Sequence, residues 1–449
     1  MGKRLILVLA LALVVGLTFG AAYAEVQNVK VSGDIIVSGV ARSHFNLDNN
    51  VAGDQSILKQ TFLMSQIRVR IDADLTDNVS ATVRLINERI WNGQNDSNSG
   101  NSSNSTAIDL DLAYVTLKEF LYSPLTLTVG RQEIKFGNGL IIGKSGAAAG
   151  TTNLPTDLSE RRAFDAIRAT LNYDPLVIDL VYAQVKQNTT EDRNTVSLTG
   201  INATYSLNKK VDLSAYYWLK KDDDHISPDT SSRPDQLSTV GALVSIAPIE
   251  DLTASFEAAY QFGKNTETNN QNRHDAWALQ ALANYTFSQV KMTPKIGASL
   301  THLGGGESSA TRNESWDSMF SDQKLNNIAY AILPFSNMNV LNVQASCKLV
   351  EDVTLSAVYG YYDVAKKSSG ATLQSPGYHS GGTTDADRYL NTTYTGKKHL
   401  GDALDITATY DYTEDVQLGL TAGIFRPGSG ITANEKNATQ LIGSMKVIF

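Results

Sequence analysis

Apolar residues recur at every second position along most of this chain. In residues 60–91 the odd positions from 63 to 75 read Leu63, Ser65, Ile67, Val69, Ile71, Ala73 and Leu75. Between them lie Met64, Gln66, Arg68, Arg70, Asp72 and Asp74. After Thr76-Asp77-Asn78 the alternation resumes with Val79, Ala81, Val83 and Leu85, set against Ser80, Thr82, Arg84 and, after Ile86, Glu88. A period of two points successive side chains to opposite faces of a strand. The pattern suits an open antiparallel sheet in water, or a barrel wall with its apolar side to lipid and its polar side to an aqueous lumen.

The rest of the chain favours the barrel. About eighteen such segments recur, near 29–45, 60–75, 79–91, 108–118, 125–136, 163–173, 176–186, 195–207, 211–221, 237–247, 252–263, 275–287, 290–302, 337–350, 353–364, 399–413, 416–426 and 439–449. Their connections alternate. Short polar turns follow the even-numbered segments, such as 76–78, 174–175, 351–352 and 414–415, with 288–289 expected among them. Long Gly/Ser/Asn-rich stretches follow odd-numbered ones, as at 92–107, 137–162, 303–334 and 365–398. A soluble repeat protein would keep one period with similar loops. Short turns at one end and long loops at the other characterise outer-membrane barrels, with the turns periplasmic and the loops extracellular. The expected fold is therefore all-β, a single transmembrane antiparallel barrel of about 18 strands over residues 25–449.

Residues 1–24 read as a signal peptide. Lys3 and Arg4 precede an apolar run over 5–19, and Ala22-Tyr23-Ala24 is a small-x-small cleavage site. Removing them leaves 36 of the 38 basic residues against 46 acidic ones. No later run approaches the roughly 20 apolar residues of a spanning helix. The acidic balance argues against nucleic acid. A single cysteine, Cys347, excludes an intrachain disulfide framework and reads as a small apolar residue on the lipid face. On the last strand Leu441, Gly443, Met445, Val447 and Phe449 share a face. A terminal Phe449 on such a strand resembles the signal read by the outer-membrane assembly machinery. The expected surroundings are the lipid bilayer and lipopolysaccharide of a Gram-negative outer membrane.

Placing apolar residues outward leaves the charges inside. Lys30, Asp34 and Arg42 fall there on the first strand, followed by Arg68, Arg70, Asp72, Arg84 and Glu88. Asp109, Asp111, Arg131, Glu133 and Lys135 come next, then Arg168, Asp179, Lys220, Glu257, Lys291, Lys295, Asp405 and Lys446. The hairpin centred on Asp77 sets Arg70 opposite Arg84, with Arg68 one lumen position away. Such a strip attracts anionic solutes, unless Asp72 and Glu88 pair with it in a solvated ladder. After 125–136, Gly137 and Gly139 open a long excursion to Arg162, expected to fold inward and narrow the pore.

The stretches GRQEIKFGNGLIIG (130–143), RRAFDAIRATL (161–171), LGDALDITATYDY (400–412) and AGIFRPG (422–428) resemble the alginate-export family of outer-membrane porins. Where that family often reads L-G-x-E-x-D, the acidic position is Ala403 here. The resemblance implies an eighteen-strand barrel with a charged lumen that conducts anionic polymers or small solutes. Arg131, Asp165, Arg168 and Asp405 would be inherited lumen or rim positions.

The expected function is passive, partly selective diffusion of small or anionic solutes, acidic saccharides included. The alternative is a structural, adhesion or sheath barrel with a loop-closed lumen, in which Trp316, Met319 and Phe320 plug the pore or anchor a partner. The six histidines form no Ser-His-acid or H-E-x-x-H arrangement, so no enzyme and no cofactor is expected. The run 222–225 (Asp-Asp-Asp-His) reads as a solvated acidic loop rather than a cation site.

Overall fold

The computed structural model describes residues 27–47, 59–91, 108–145, 154–155, 157–187, 195–222, 235–265, 272–306, 312–367, 369–374, 391–431 and 436–449. The expected signal peptide, the 92–107 loop and most of the 222–225 run lie outside them.

Backbone pairing explains the architecture. In a bilayer no water is available to satisfy peptide N–H and C=O groups, so strands can span only if every edge is paired. The strands are β1 (Asn28–Ser43), β2 (Lys59–Thr76), β3 (Val79–Ile90), β4 (Asp109–Leu117), β5 (Leu125–Gln132), β6 (Phe164–Asn172) and β7 (Leu176–Lys186). They continue with β8 (Val196–Asn208), β9 (Val211–Asp222), β10 (Asp235–Ile249), β11 (Leu252–Asn265), β12 (Asn272–Thr286) and β13 (Lys295–Leu303). After the two-residue β14 (Arg312–Asn313) and helix α1 (Asn327–Ile332) come β15 (Met338–Val350) and β16 (Val353–Val364). A small hairpin of β17 (Ser369–Gln374) and β18 (Asn391–Thr395) precedes β19 (His399–Asp411), β20 (Val416–Pro427) and β21 (Ala438–Ile448).

The main sheet has 19 strands, and setting aside β14, which runs parallel to β12, leaves the closed wall of 18 antiparallel strands. Each wall strand pairs with its neighbour in sequence, β13 passing to β15 and β16 to β19. The seam closes where β21 pairs β1 from Asp34↔Ile448 to Ser43↔Thr439. Gly33 and Phe449 exchange both backbone hydrogen bonds, at 2.7 and 3.0 Å. Phe449 lays its ring where a Gly33 side chain would stand.

The period of two is realised as expected. Outward positions such as Val31, Ile167, Leu300 and Leu420 are exposed, as lipid-facing residues should be. Exposed aromatics cluster near the short turns (Tyr122, Tyr173, Tyr205, Tyr410, Tyr412, Phe449) and again further up the wall (Tyr182, Tyr217, Tyr260, Trp277, Tyr359, Tyr361). These bands mark the two membrane interfaces. Cys347 lies outward, in register with Leu355.

Two strand ends differ from expectation. β13 begins at Lys295, because Met292 (φ 71°) and Thr293 (φ 41°) turn the chain and Pro294 has no N–H for the ladder. Lys291 therefore belongs to a turn, not to the lumen wall. β5 ends at Gln132, where the chain leaves the wall and turns inside.

The interior also departs from a uniformly aqueous lumen. Residues 133–145 and 314–333 fold into it, and an apolar cluster forms around them. Ile142 and Phe320 meet in a parallel bridge, and Trp218, Leu303, Ile328, Ile332 and Phe425 are fully buried in the same cluster. Lumen-facing positions nearer the short turns, such as Ser214, Ser255, Asn284 and Thr407, stay polar.

Seam geometry makes a prediction. A Cβ at Gly33 would stand 2.5 Å from the Arg68 carbonyl oxygen and 2.6 Å from the Phe449 ring, whereas one at Gly443 meets nothing within 4 Å. Gly33→Val is expected to lower the folded fraction severalfold, and Gly443→Val to leave it unchanged. Heat-modifiable electrophoretic mobility after refolding into vesicles reads both.

Candidate functional site

The charged wall is built by register. β2 pairs β3 so that Arg70 faces Arg84, Arg68 faces Ile86 and Gln66 faces Glu88. On the other side β1 brings Asp34 to Arg68 and Lys30 to Asp72. Two facing arginines would repel without counter-charges, and each has one. Arg70 Nε donates to Asp72 Oδ2 (2.7 Å), and Arg68 Nε to Asp34 Oδ1 (2.7 Å). Arg84 Nε donates to Asp111 Oδ2 (2.5 Å), and its far nitrogen reaches Glu133. Arg168 pairs with Asp179 at 2.8 Å. The strip is thus a compensated ladder rather than a bare basic surface.

Asp109 and Asp111 both point inward through a bulge. β3–β4 pairing steps from Arg84↔Leu112 to Leu85↔Leu110, which leaves Asp111 unpaired and turned to the lumen beside Leu112. Asp109 accepts from Arg161 Nη2 (2.6 Å).

Arg131 and Asp165 are corrections. They face each other across β5 and β6, in phase with Val129 and Ile167, and Ile167 is exposed on the outer face. Their 3.0 Å ion pair is therefore outside the barrel. Assigning every charge to the lumen fails here because both sit level with the upper aromatics such as Tyr182, where an outward charge costs little. Glu133 and Lys135 come inside only because the chain has left the wall.

Glu88 and Asp405 do face the lumen, as holders of the inserted chain. Glu88, 1% exposed, accepts from Gln66 Nε2 (2.8 Å), Ser159 Oγ (2.9 Å), Glu160 N (2.7 Å) and Arg161 Nε (3.1 Å). Asp405 Oδ2 accepts from the backbone N–H groups of Asn327 (2.6 Å) and Ile328 (3.3 Å), which begin α1. Asp317 takes Lys220 Nζ at 3.2 Å, while Gln261 donates to the Asp317 carbonyl and accepts from its N–H. Burial opposes ionisation of Asp317, but Lys220 and the Met319 N–H more than offset it and hold this carboxyl below the usual range.

The two inserted segments are stitched into one body. Gly143 and Lys144 donate to the Phe320 carbonyl (2.7 and 3.0 Å), Phe320 to that of Ile141 (3.1 Å), and Asp322 to that of Gly139 (2.9 Å). Trp316, Met319 and Phe320 are buried in this plug rather than presented outward.

A second group of cations comes from the loops, and apart from Lys135 periodicity could not find it. Arg162 pairs with Asp322 (3.0 Å). Lys324, exposed in the lumen yet ringed by protein, donates to the Asp157 carbonyl (2.6 Å), and Lys135 donates to that of Asp322 (3.3 Å). Burial, helped by Arg162 and Lys324, pushes the Lys144 ammonium down to about 8. Burial and Arg162 also lower Lys324, and burial raises the Tyr330 hydroxyl to about 12. Among the described residues no group of three or more His, Cys, Asp or Glu side chains could hold a metal ion.

A family model described as alginate export matches residues 38–443. No curated protein matches the chain. Solved barrels of similar fold include Pseudomonas aeruginosa OpdQ, 12% identical with TM-score 0.56, covering 95% of this chain and 100% of that one. Acinetobacter baumannii OccAB2 is 10% identical with TM-score 0.55, covering 95% and 99%. Pseudomonas aeruginosa OpdK, solved with vanillate, is 10% identical with TM-score 0.50, covering 94% and 99%.

Two substitutions separate wall from interior. Glu88→Ala leaves Arg161 with Asp109 alone and removes the acceptor for Ser159 and the Glu160 N–H, so a loss of roughly 3 kcal/mol is expected in urea unfolding, with noisier conductance. Arg131→Gln, outside the barrel, should leave the reversal potential in a salt gradient unchanged.

Proposed function

The chain belongs to the alginate-export family, and from that premise we propose that it is a passive outer-membrane diffusion channel for small solutes that favours anionic ones. The passage would run between the ladder on β1–β4 and the plug of 133–145 and 314–333. One observation carries the charge preference. Lys135 and Lys324, both exposed in the lumen, donate to backbone carbonyls and not to carboxylates. Neither lysine has a direct carboxylate partner, and Lys144 and Arg162 lie close to Lys324, with Asp157, Glu160 and Asp322 around them. In a water-filled constriction with protein walls such charges act over the whole aperture.

The plug narrows the long-loop half, which favours small carboxylates and short acidic saccharides over a polymer chain. Ala403, buried and set inward opposite Phe425 on β20, adds no acidic group there. Vanillate, present with the similar barrel OpdK, is a ring carrying a carboxylate and makes a suitable first probe. The apolar packing of Trp316, Phe320 and Ile332 favours a second reading, a structural or adhesion barrel whose lumen is closed. Association with the assembly machinery through Phe449 belongs to the proposal as well.

Planar-bilayer recording separates the two. Purified protein should carry current, with a reversal potential showing preference for anions. A lysine is charged below its pKa, so raising pH from about 6 to about 9 takes Lys144 through about 8 and should weaken the anion preference. Lys324→Gln and Arg70→Gln should each shift selectivity toward cations. Absence of current at any voltage would reject the channel in favour of the closed barrel.

A further inference from the structure

A row of outward cations crosses one sector of the barrel at its long-loop end. Register sets it. Lys221 on β9 stands opposite Gln236 on β10, and Gln236 opposite Lys264 on β11. Lys264 stands opposite Arg273 on β12, and Arg273 lies beside Arg312 on β14. All five side chains are exposed. Alternation puts them on the outer face, in phase with the exposed Tyr217, Val240, Phe262 and Trp277. Their neighbours Lys220, Leu237 and His274 turn inward instead.

Like charges at matched positions on neighbouring strands repel unless an anion lies between them. Arg312 has Asp275, which also accepts from the Tyr260 hydroxyl (2.9 Å), and Glu314 at 3.5 Å. Among the described residues no carboxylate forms an ion pair with Lys221, Lys264 or Arg273. Below the row lies an apolar shelf. Tyr260 and Phe262 stack with centroids 6.0 Å apart, and Trp277 lies on His302 at 4.0 Å. Arg273 is four residues beyond Trp277 along β12, roughly 13 Å at about 3.3 Å per residue. Cations above exposed aromatics occupy the depth where acyl chains give way to headgroups. That arrangement fits an amphiphile with an anionic headgroup, and guanidinium forks match phosphate oxygens two at a time. The β16–β19 sector differs, its outer rim carrying Asp363 and Asp402 around His399.

We propose that this sector binds a phosphorylated glycolipid of the outer leaflet, the lipid A part of lipopolysaccharide. Its phosphates would lie on Lys264, Arg273 and Arg312, and its acyl chains on Tyr260, Phe262 and Trp277. The bound lipid also braces β14, the two-residue strand from which 314–333 enters the lumen. The site rests on the outer-membrane placement of the barrel and not on which solute passes.

Native mass spectrometry of the full-length protein in detergent tests this. Diphosphorylated lipid A should stay bound to the wild type, and lipid A stripped of both phosphates should bind about tenfold more weakly. The double variant Lys264→Gln/Arg273→Gln should lose diphosphorylated lipid A by a similar factor. Lys209→Gln, exposed at a short turn on the opposite end, should bind it as the wild type does. Equal binding of the two lipids by the wild type overturns the proposal, whether or not the double variant folds. So does a double variant that folds, by heat-modifiable mobility, and binds lipid A unchanged. Displacement of lipid A by millimolar inorganic phosphate would mark a free-anion site and overturns it as well. None of these readouts involves current, so failure here and failure of the channel reading are distinct.

Discussion

Everything in this molecule depends on the closure of its backbone hydrogen bonding. A spanning strand with an unpaired edge would leave a row of peptide groups in hydrocarbon, at several kcal/mol each. Pairing of β21 with β1 removes the last edge. Once the wall is closed it has an outside and an inside, and the two-residue alternation acquires a meaning it lacks in a flat sheet. Gly33 and Phe449 show how local that condition is, since a single missing side chain makes room for the terminal ring at the seam.

Closure also creates the problem that the interior solves. A barrel of eighteen strands encloses more space than its own side chains fill. Here the chain fills part of it with two of its own connections. Their backbone N–H groups, away from strands, need acceptors, and wall carboxylates provide them: Glu88 for Glu160, and Asp405 for Asn327 and Ile328. Lumen acids that read as selectivity groups are therefore partly structural. In the proposed channel the solute-facing charge is supplied by lysines that the inserted segments carry. The family-like stretches converge on this plug: 130–143 forms it, Phe164 packs on Phe320, Asp405 holds α1, and Phe425 is buried against it.

Strand positions were legible to within a few residues nearly throughout, because lipid on one face and polar groups on the other leave little freedom of register. The exceptions have physical causes. Pro294 and two positive-φ residues delay β13, and departure from the wall shortens β5. The Arg70–Arg84 juxtaposition followed from the turn at Asp77 alone. Arg131 was misplaced because charge was equated with lumen, and Asp165 because the family resemblance carried it there; both lie near the membrane interface, where outward charges meet headgroups and water. The bulge at Asp111 gives no period signal, yet it decides that both Asp109 and Asp111 face in.

What the sequence determined by itself was the wall: its strand number, its direction and which residues face lipid. That information is local, carried by a period of two and by turn residues. What only the tertiary structure decided was the filling: that 133–145 joins 314–333, that Lys144 and Lys324 come close to Arg162, and that Glu257 is buried with one carboxyl oxygen unpartnered. The contacts between 133–145 and 314–333 join residues more than a hundred positions apart, in segments with no repeating pattern, and the closed wall brings them into one lumen.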